Sequence, residues 1–185
     1  MKESKNELFS LRSMVFTAIF AALICVAAPY SVPLPWLVPI SLATFAIYLT
    51  GALLGGKRGV LAVLIYIMIG AVGLPVFSGF RGGFGALFGP TGGYIIGYVP
   101  LVFLSGLFSD RKKYMIPVGM VLGTIALYSF GTAWYMIYTK ADIVTALAGC
   151  VLPFILGDSI KMVLATILSI PLKSRLNAFL GKAKE

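Results

Sequence analysis

Two ionisable residues, Asp158 and Lys161, stand inside the otherwise apolar run ILGDSIKMVLATIL. Three positions apart, they share one helical face and can pair. A charge inside a membrane helix costs at least ~2.5–3.5 kcal/mol on insertion scales, so a retained one marks a functional site by default. Asp supplies acceptors and Lys supplies donors. Together they can grip a group that carries both, such as an amide or a urea. The competing reading is an ion pair that braces its helix against the bundle. Proton coupling is a third reading, weakened by the lack of a second carboxylate for a relay.

The stretch GLPVFSGFRGGFGALFGPTGGY, residues 73–94, carries eight glycines, two prolines and a single charge, Arg81. Such backbone can adopt positive φ and approach a ligand closely. At membrane depth it is tolerated only where protein buries it or it lines a cavity. Phe77, Phe80, Phe84 and Phe88 argue against a floppy connection, the plainer alternative. Arg81, beside Gly82 and Gly83, can engage a carboxylate; a solvated loop charge is the other reading. Thr91 and Tyr94 open a helix next to Gly92 and Gly93, where exposed N–H groups favour an anion or a carbonyl. Capping alone also accounts for Thr91.

Several chemistries lack their residues. There is no histidine, which argues against a Ser-His hydrolase and against most zinc sites, so no metal is expected. No G-x-x-x-x-G-K-[ST] occurs, and GGFGALFG does not match G-x-G-x-x-G, so no nucleotide site is expected. Cys25 and Cys150 lie in apolar runs and read as small hydrophobes.

The elements that must carry these residues follow from composition and punctuation. Of 185 residues 59% are hydrophobic and 11% charged, against about 25% charged in soluble domains. The expected fold is an all-α integral membrane protein, one domain over residues 1–185, with no cleavable signal. Between Ser13 and Gly56 no charge occurs, but Pro29, Pro33, Pro35 and Pro39 divide the run. Six transmembrane helices result, at about 11–28, 40–55, 58–73, 91–108, 114–138 and 143–172, the last bent near Pro153. Residues 29–39 read as a proline-rich extended loop, with Tyr30 and Trp36 suited to the membrane–water interface, that could equally form a stiff lid. Twelve Lys and Arg residues gather on the side of the termini, against Arg81 and Lys140 on the other. That bias predicts a cell-membrane protein with both termini cytoplasmic. The net charge of +9 is therefore topology and implies no nucleic-acid partner. No internal repeat stands out. In the first helix Ala18 and Ala22 form a small-residue face, suited to a partner helix or to packing within the bundle.

Ala18-x-x-x-Ala22, GLPVFSG at 73–79, Gly82-Gly83, GPTGGY at 89–94 and GD-x-x-K at 157–161 together resemble the BioY family. These are the biotin-specific substrate-binding (S) components of energy-coupling factor (ECF) transporters. The resemblance spans nearly the whole chain and implies an ECF S-component-like bundle that captures extracellular biotin. It implies no cofactor and no enzyme activity. ATP would be hydrolysed by two separate ATPase subunits, coupled through a transmembrane scaffold subunit docking on helix 1. Asp158 would accept from the ureido N–H groups, with Lys161 orienting it and able to donate to the ureido carbonyl. Phe77, Trp36 and Tyr94 would pack on the bicycle, and Arg81 or the N–H groups around Gly82 and Gly83 would meet the carboxylate. The two ends stay interchangeable at this level. So do an S component for another vitamin, an enzyme using Asp158, and an assembly subunit without ligand.

Overall fold

The structure, a computed structural model, describes residues 10–32, 39–111 and 113–179. It is an all-α membrane protein apart from one two-stranded ribbon. In chain order the elements are α1 (Leu11–Ala27), β1 (Ser31–Val32), β2 (Ile40–Ser41), α2 (Ala43–Leu54) and α3 (Gly56–Ala71). There follow α4 (Phe84–Leu87), α5 (Gly92–Ser109), α6 (Ile116–Thr139), α7 (Ile143–Cys150) and α8 (Leu152–Phe179). Among the described residues three stretches are long and apolar enough to cross a membrane: α5, α6 and the Ile143–Leu176 run; α1 and α2 are apolar but shorter. The outward face of α8, with Ile155, Leu156, Ile160, Val163 and Ile167 exposed, is suited to lipid rather than water.

The proline punctuation acts as expected at the end of α1, which closes one residue before Ala28-Pro29. It acts differently at α2. Helix is expected there from residue 40, but Ile40 and Ser41 pair antiparallel with Val32 and Ser31. Ser41 Oγ then donates to the Ala28 carbonyl and accepts from Ala43 N–H, so the start of α2 is tied to the end of α1. The ribbon flanks the expected lid; Trp36 and residues 33–38 lie outside the described residues.

The last expected helix is two. Val151 (φ −127°, ψ −56°) separates α7 from α8. The break lies two residues from Pro153, near where a bend is expected, and Pro153 itself sits in the first turn of α8, where a missing N–H removes no intrahelical bond. The glycine-rich segment is also more ordered than a loop. Phe77 and Arg81 form an antiparallel bridge, and Phe80 at its tip takes φ +57°. The short α4 follows.

The helices α5 and α6 share the largest interface, α2 and α3 pack on α5, and α8 packs on α2. The core contains Ile24, Ile47, Tyr48, Tyr66, Leu101 and Met120. At the end of the bundle holding Lys173, α8 reaches α5. Lys173 Nζ donates to the Ser109 carbonyl (2.6 Å), and Ser109 Oγ donates to the Ala52 carbonyl of α2 (2.6 Å). Asp110 lies 3.4 Å from the same ammonium. Gly55, at φ +81°, leaves room for Asp110, whose carboxylate a Cβ there would strike.

Candidate ligand cavity

Asp158 on α8 is only 2% exposed, and three donors converge on it. Oδ1 accepts from Thr44 Oγ1 (2.9 Å) and from Lys161 Nζ (3.0 Å). Oδ2 accepts from the Tyr128 hydroxyl (2.8 Å). Lys161 donates further to the Ser41 carbonyl (2.7 Å) and to Thr44 Oγ1 (3.1 Å). All three ammonium hydrogens therefore have acceptors, and a carboxylate with about four acceptor positions keeps one open, on Oδ2. The pair does share a helical face, and it also bridges α2, α6 and α8. Breaking such a buried pair leaves a lone charge, whereas the complete network offsets its own desolvation.

A second hydroxyl pair lies one helical turn along. Thr124 gives its proton to the Met120 carbonyl (2.8 Å), so the Tyr48 hydroxyl must be the donor in the 2.6 Å contact between Tyr48 and Thr124. Thr44 and Tyr48 are four apart on α2, as are Thr124 and Tyr128 on α6, which places each pair on one inward face.

The network lines one lobe of a cavity. This lobe has a volume of about 30 Å³, and Asp158, Lys161, Thr44, Tyr128, Tyr98 and Phe154 contribute to its wall. A second lobe of about 40 Å³ is lined by Phe77, Ser78, Arg81, Thr91 and Tyr66 among others. Pro39, Ser41, Tyr94 and Tyr98 line both lobes, so the two meet at a shared waist. Both volumes lie well below the ~300–1,000 Å³ of small-molecule sites, so a ligand of that size has to spread the lobes as it enters. An open vestibule between the ribbon and the Phe80 tip reaches Lys161 from outside the bundle.

Tyr94 is held at the waist by the helix break. In a continuous helix the Cys150 carbonyl would accept from Phe154 N–H, but here Phe154 N–H turns to Val151 O. The freed Cys150 carbonyl accepts from the Tyr94 hydroxyl (2.7 Å), and the Tyr94 ring stacks on Phe154 at 6.4 Å. Phe77 is fixed as firmly: its ring meets Tyr66 edge-on at 5.5 Å and lies over Gly70, where a Cβ would enter the ring.

Of the residues singled out by sequence, Asp158, Lys161, Tyr94, Phe77, Arg81 and Thr91 line this cavity. Gly82 and Gly83 are not among its lining residues; they hold the loop. Gly83 N–H donates to the Gly70 carbonyl (2.6 Å), and a Cβ on Gly82 would strike the Leu74 and Gly73 carbonyls. Ala18 and Ala22 sit apart, on the exposed face of α1. Sequence reasoning did not single out Thr44, Tyr128, Tyr98 or Ser78. The available signal was spacing: hydroxyl residues four apart in three apolar helices, at 44/48, 94/98 and 124/128.

Known proteins are similar to this chain in sequence and in fold. A family model described as the BioY family matches residues 1–178. A protein of Thermotoga maritima named "Biotin transporter BioY" is 39% identical over 166 residues, covering 88% of this chain and 96% of that protein. Its namesake in Rhodobacter capsulatus is 36% identical, covering 82% and 88%. A crystal structure described as the S-component for biotin from an ECF-type ABC transporter superposes with a TM-score of 0.79. It is 29% identical and covers 87% of this chain and 90% of that one.

Proposed function

The chain belongs to the BioY family, and we propose that it is the biotin-binding S component of an ECF-type ABC transporter, a transport subunit and not an enzyme. The observation that carries the reading is the pairing of opposite polarities across one cavity. One lobe presents an open carboxylate acceptor on Asp158, the other a guanidinium, Arg81, without an acidic partner among the described residues. Biotin has matching ends: a ureido ring with N–H donors, and a carboxylate. Its ureido N–H donates to Asp158 Oδ2, with Lys161 and Thr44 holding the carboxylate in place. The bicycle lies against Tyr94, Tyr98 and Phe77, and the acid tail meets Arg81.

Supporting the membrane arrangement, six spans with both termini cytoplasmic agree with the distribution of basic residues. The exposed Ala18/Ala22 face of α1 is flat enough for a close helix contact with the scaffold subunit. Through that subunit two ATPase subunits drive uptake.

Mass spectrometry of small molecules released from the purified, denatured protein tests the ligand. Biotin near one per chain, absent from Asp158→Asn, is the expected result; another vitamin at that stoichiometry overturns the biotin assignment. Ala18→Trp is expected to bind biotin normally while cellular uptake of labelled biotin is lost. Intact uptake removes α1 as the docking face.

A further inference from the structure

The second lobe holds polar groups that the protein itself leaves unmatched. Ser78 Oγ is buried and has no hydrogen-bond partner among the described residues. Thr91, at the N-cap of α5, makes no capping bond with its side chain. Both line the lobe with Arg81, and among the described residues no acidic one lines it. A buried hydroxyl without a partner is unfavourable, so such a group is expected to be matched by whatever fills the space beside it. Arg81 and Ser78 are also fixed relative to each other. The bridge between Phe77 and Arg81 closes the turn that contains Ser78, and the buried Phe77 ring anchors its base. A carboxylate has about four acceptor positions and no donor. The two N–H groups of one guanidinium fork together with two hydroxyls are a donor set of matching number.

We propose that Ser78 is a carboxylate-binding residue of this site, donating its hydroxyl to the acid group that Arg81 attracts. The assignment rests on the reading that the ligand is biotin with its acid end in the Arg81 lobe. Ser78 thereby contributes to selecting an acid over a neutral tail, and its buried position lets it act where solvent does not compete.

Titrations of wild type, Ser78→Ala and Ser78→Thr with two ligands test this: biotin, and the analogue whose carboxylate is replaced by a methyl group. Ser78→Ala is expected to weaken biotin about tenfold and to leave the methyl analogue within about twofold. Ser78→Thr, which keeps a hydroxyl, is expected to recover at least part of the biotin affinity. Unchanged binding of the methyl analogue also reports that Ser78→Ala folds. Equal weakening of both ligands overturns the proposal in favour of a packing role, and undiminished biotin binding overturns it outright. Wild-type protein that binds neither ligand overturns the biotin reading itself, and the subsite with it.

Discussion

At Asp158 every ammonium hydrogen and all but one carboxylate acceptor position already has a partner within the protein. At Arg81, a few side chains away across the Tyr94–Tyr98 waist, the guanidinium and the Ser78 hydroxyl stand with no such partners among the described residues. The first lobe is built before the ligand arrives. Its geometry is set by three helices, and the ligand adds one bond to a finished network. The second lobe is finished by the ligand. Preorganisation lowers the ordering cost of binding, whereas unmatched donors make binding depend on the ligand's own chemistry. On this comparison the Asp158 lobe governs stability and binding together, and the Arg81 lobe governs binding alone.

The largest effect should come from splitting the finished network. Asp158→Leu leaves Lys161 charged and enclosed, and should lower stability by about 3–5 kcal/mol. Adding Lys161→Met should recover most of that loss while biotin binding stays absent. Thermal melts with parallel titrations would show it. A double variant that still binds biotin would reduce the pair to a brace and break the comparison at its stronger side.

Arg81→Gln should do the reverse. Loss of a charge-assisted contact should weaken biotin by about 1.5–3 kcal/mol, with the ligand-free melting temperature unchanged because the guanidinium is exposed and bridges no acid among the described residues. A substantial drop in ligand-free stability would mean that this lobe, too, is internally completed.

The smallest effect is expected from Tyr128→Phe, which removes one of three donors to Asp158 and keeps the ring. About 0.5–1.5 kcal/mol should be lost from stability, together with a several-fold loss of affinity. Loss of affinity alone would identify the Tyr128 hydroxyl as a direct ligand contact and sharpen the assignment of the lobe.

Much of this was written in the chain itself. Asp158 and Lys161 stand out because charge is rare in apolar helix, and glycine density marked the segment that walls the second lobe. The partners of Asp158 were harder to see. Thr44 lies 114 positions away and Tyr128 lies 30 away, and both residue types are unremarked in apolar helices. Only packing joins them. The α2 boundary was misjudged because two residues of ribbon satisfied backbone groups that helix would otherwise have used. A bend near Pro153 is legible in the sequence, and the break falls two residues away at Val151, which leaves the proline in a first turn where its missing N–H removes no bond.

The two lysines of α8 have a mechanical consequence. Lys161 grips the Ser41 carbonyl ahead of α2 and Lys173 grips the Ser109 carbonyl at the end of α5, whose hydroxyl reaches back to α2. The grips are twelve residues, about 18 Å, apart along the helix. A rod riveted at two such points cannot slide by a turn without shearing both rivets, so α2, α5 and α8 form a truss that tilts or travels as one piece. The seam lies elsewhere, where Gly79 N–H meets the Pro29 carbonyl and Phe80 meets Tyr30. Among the described residues one backbone bond and one ring contact join the two sides of that seam, far fewer ties than hold the truss beneath it.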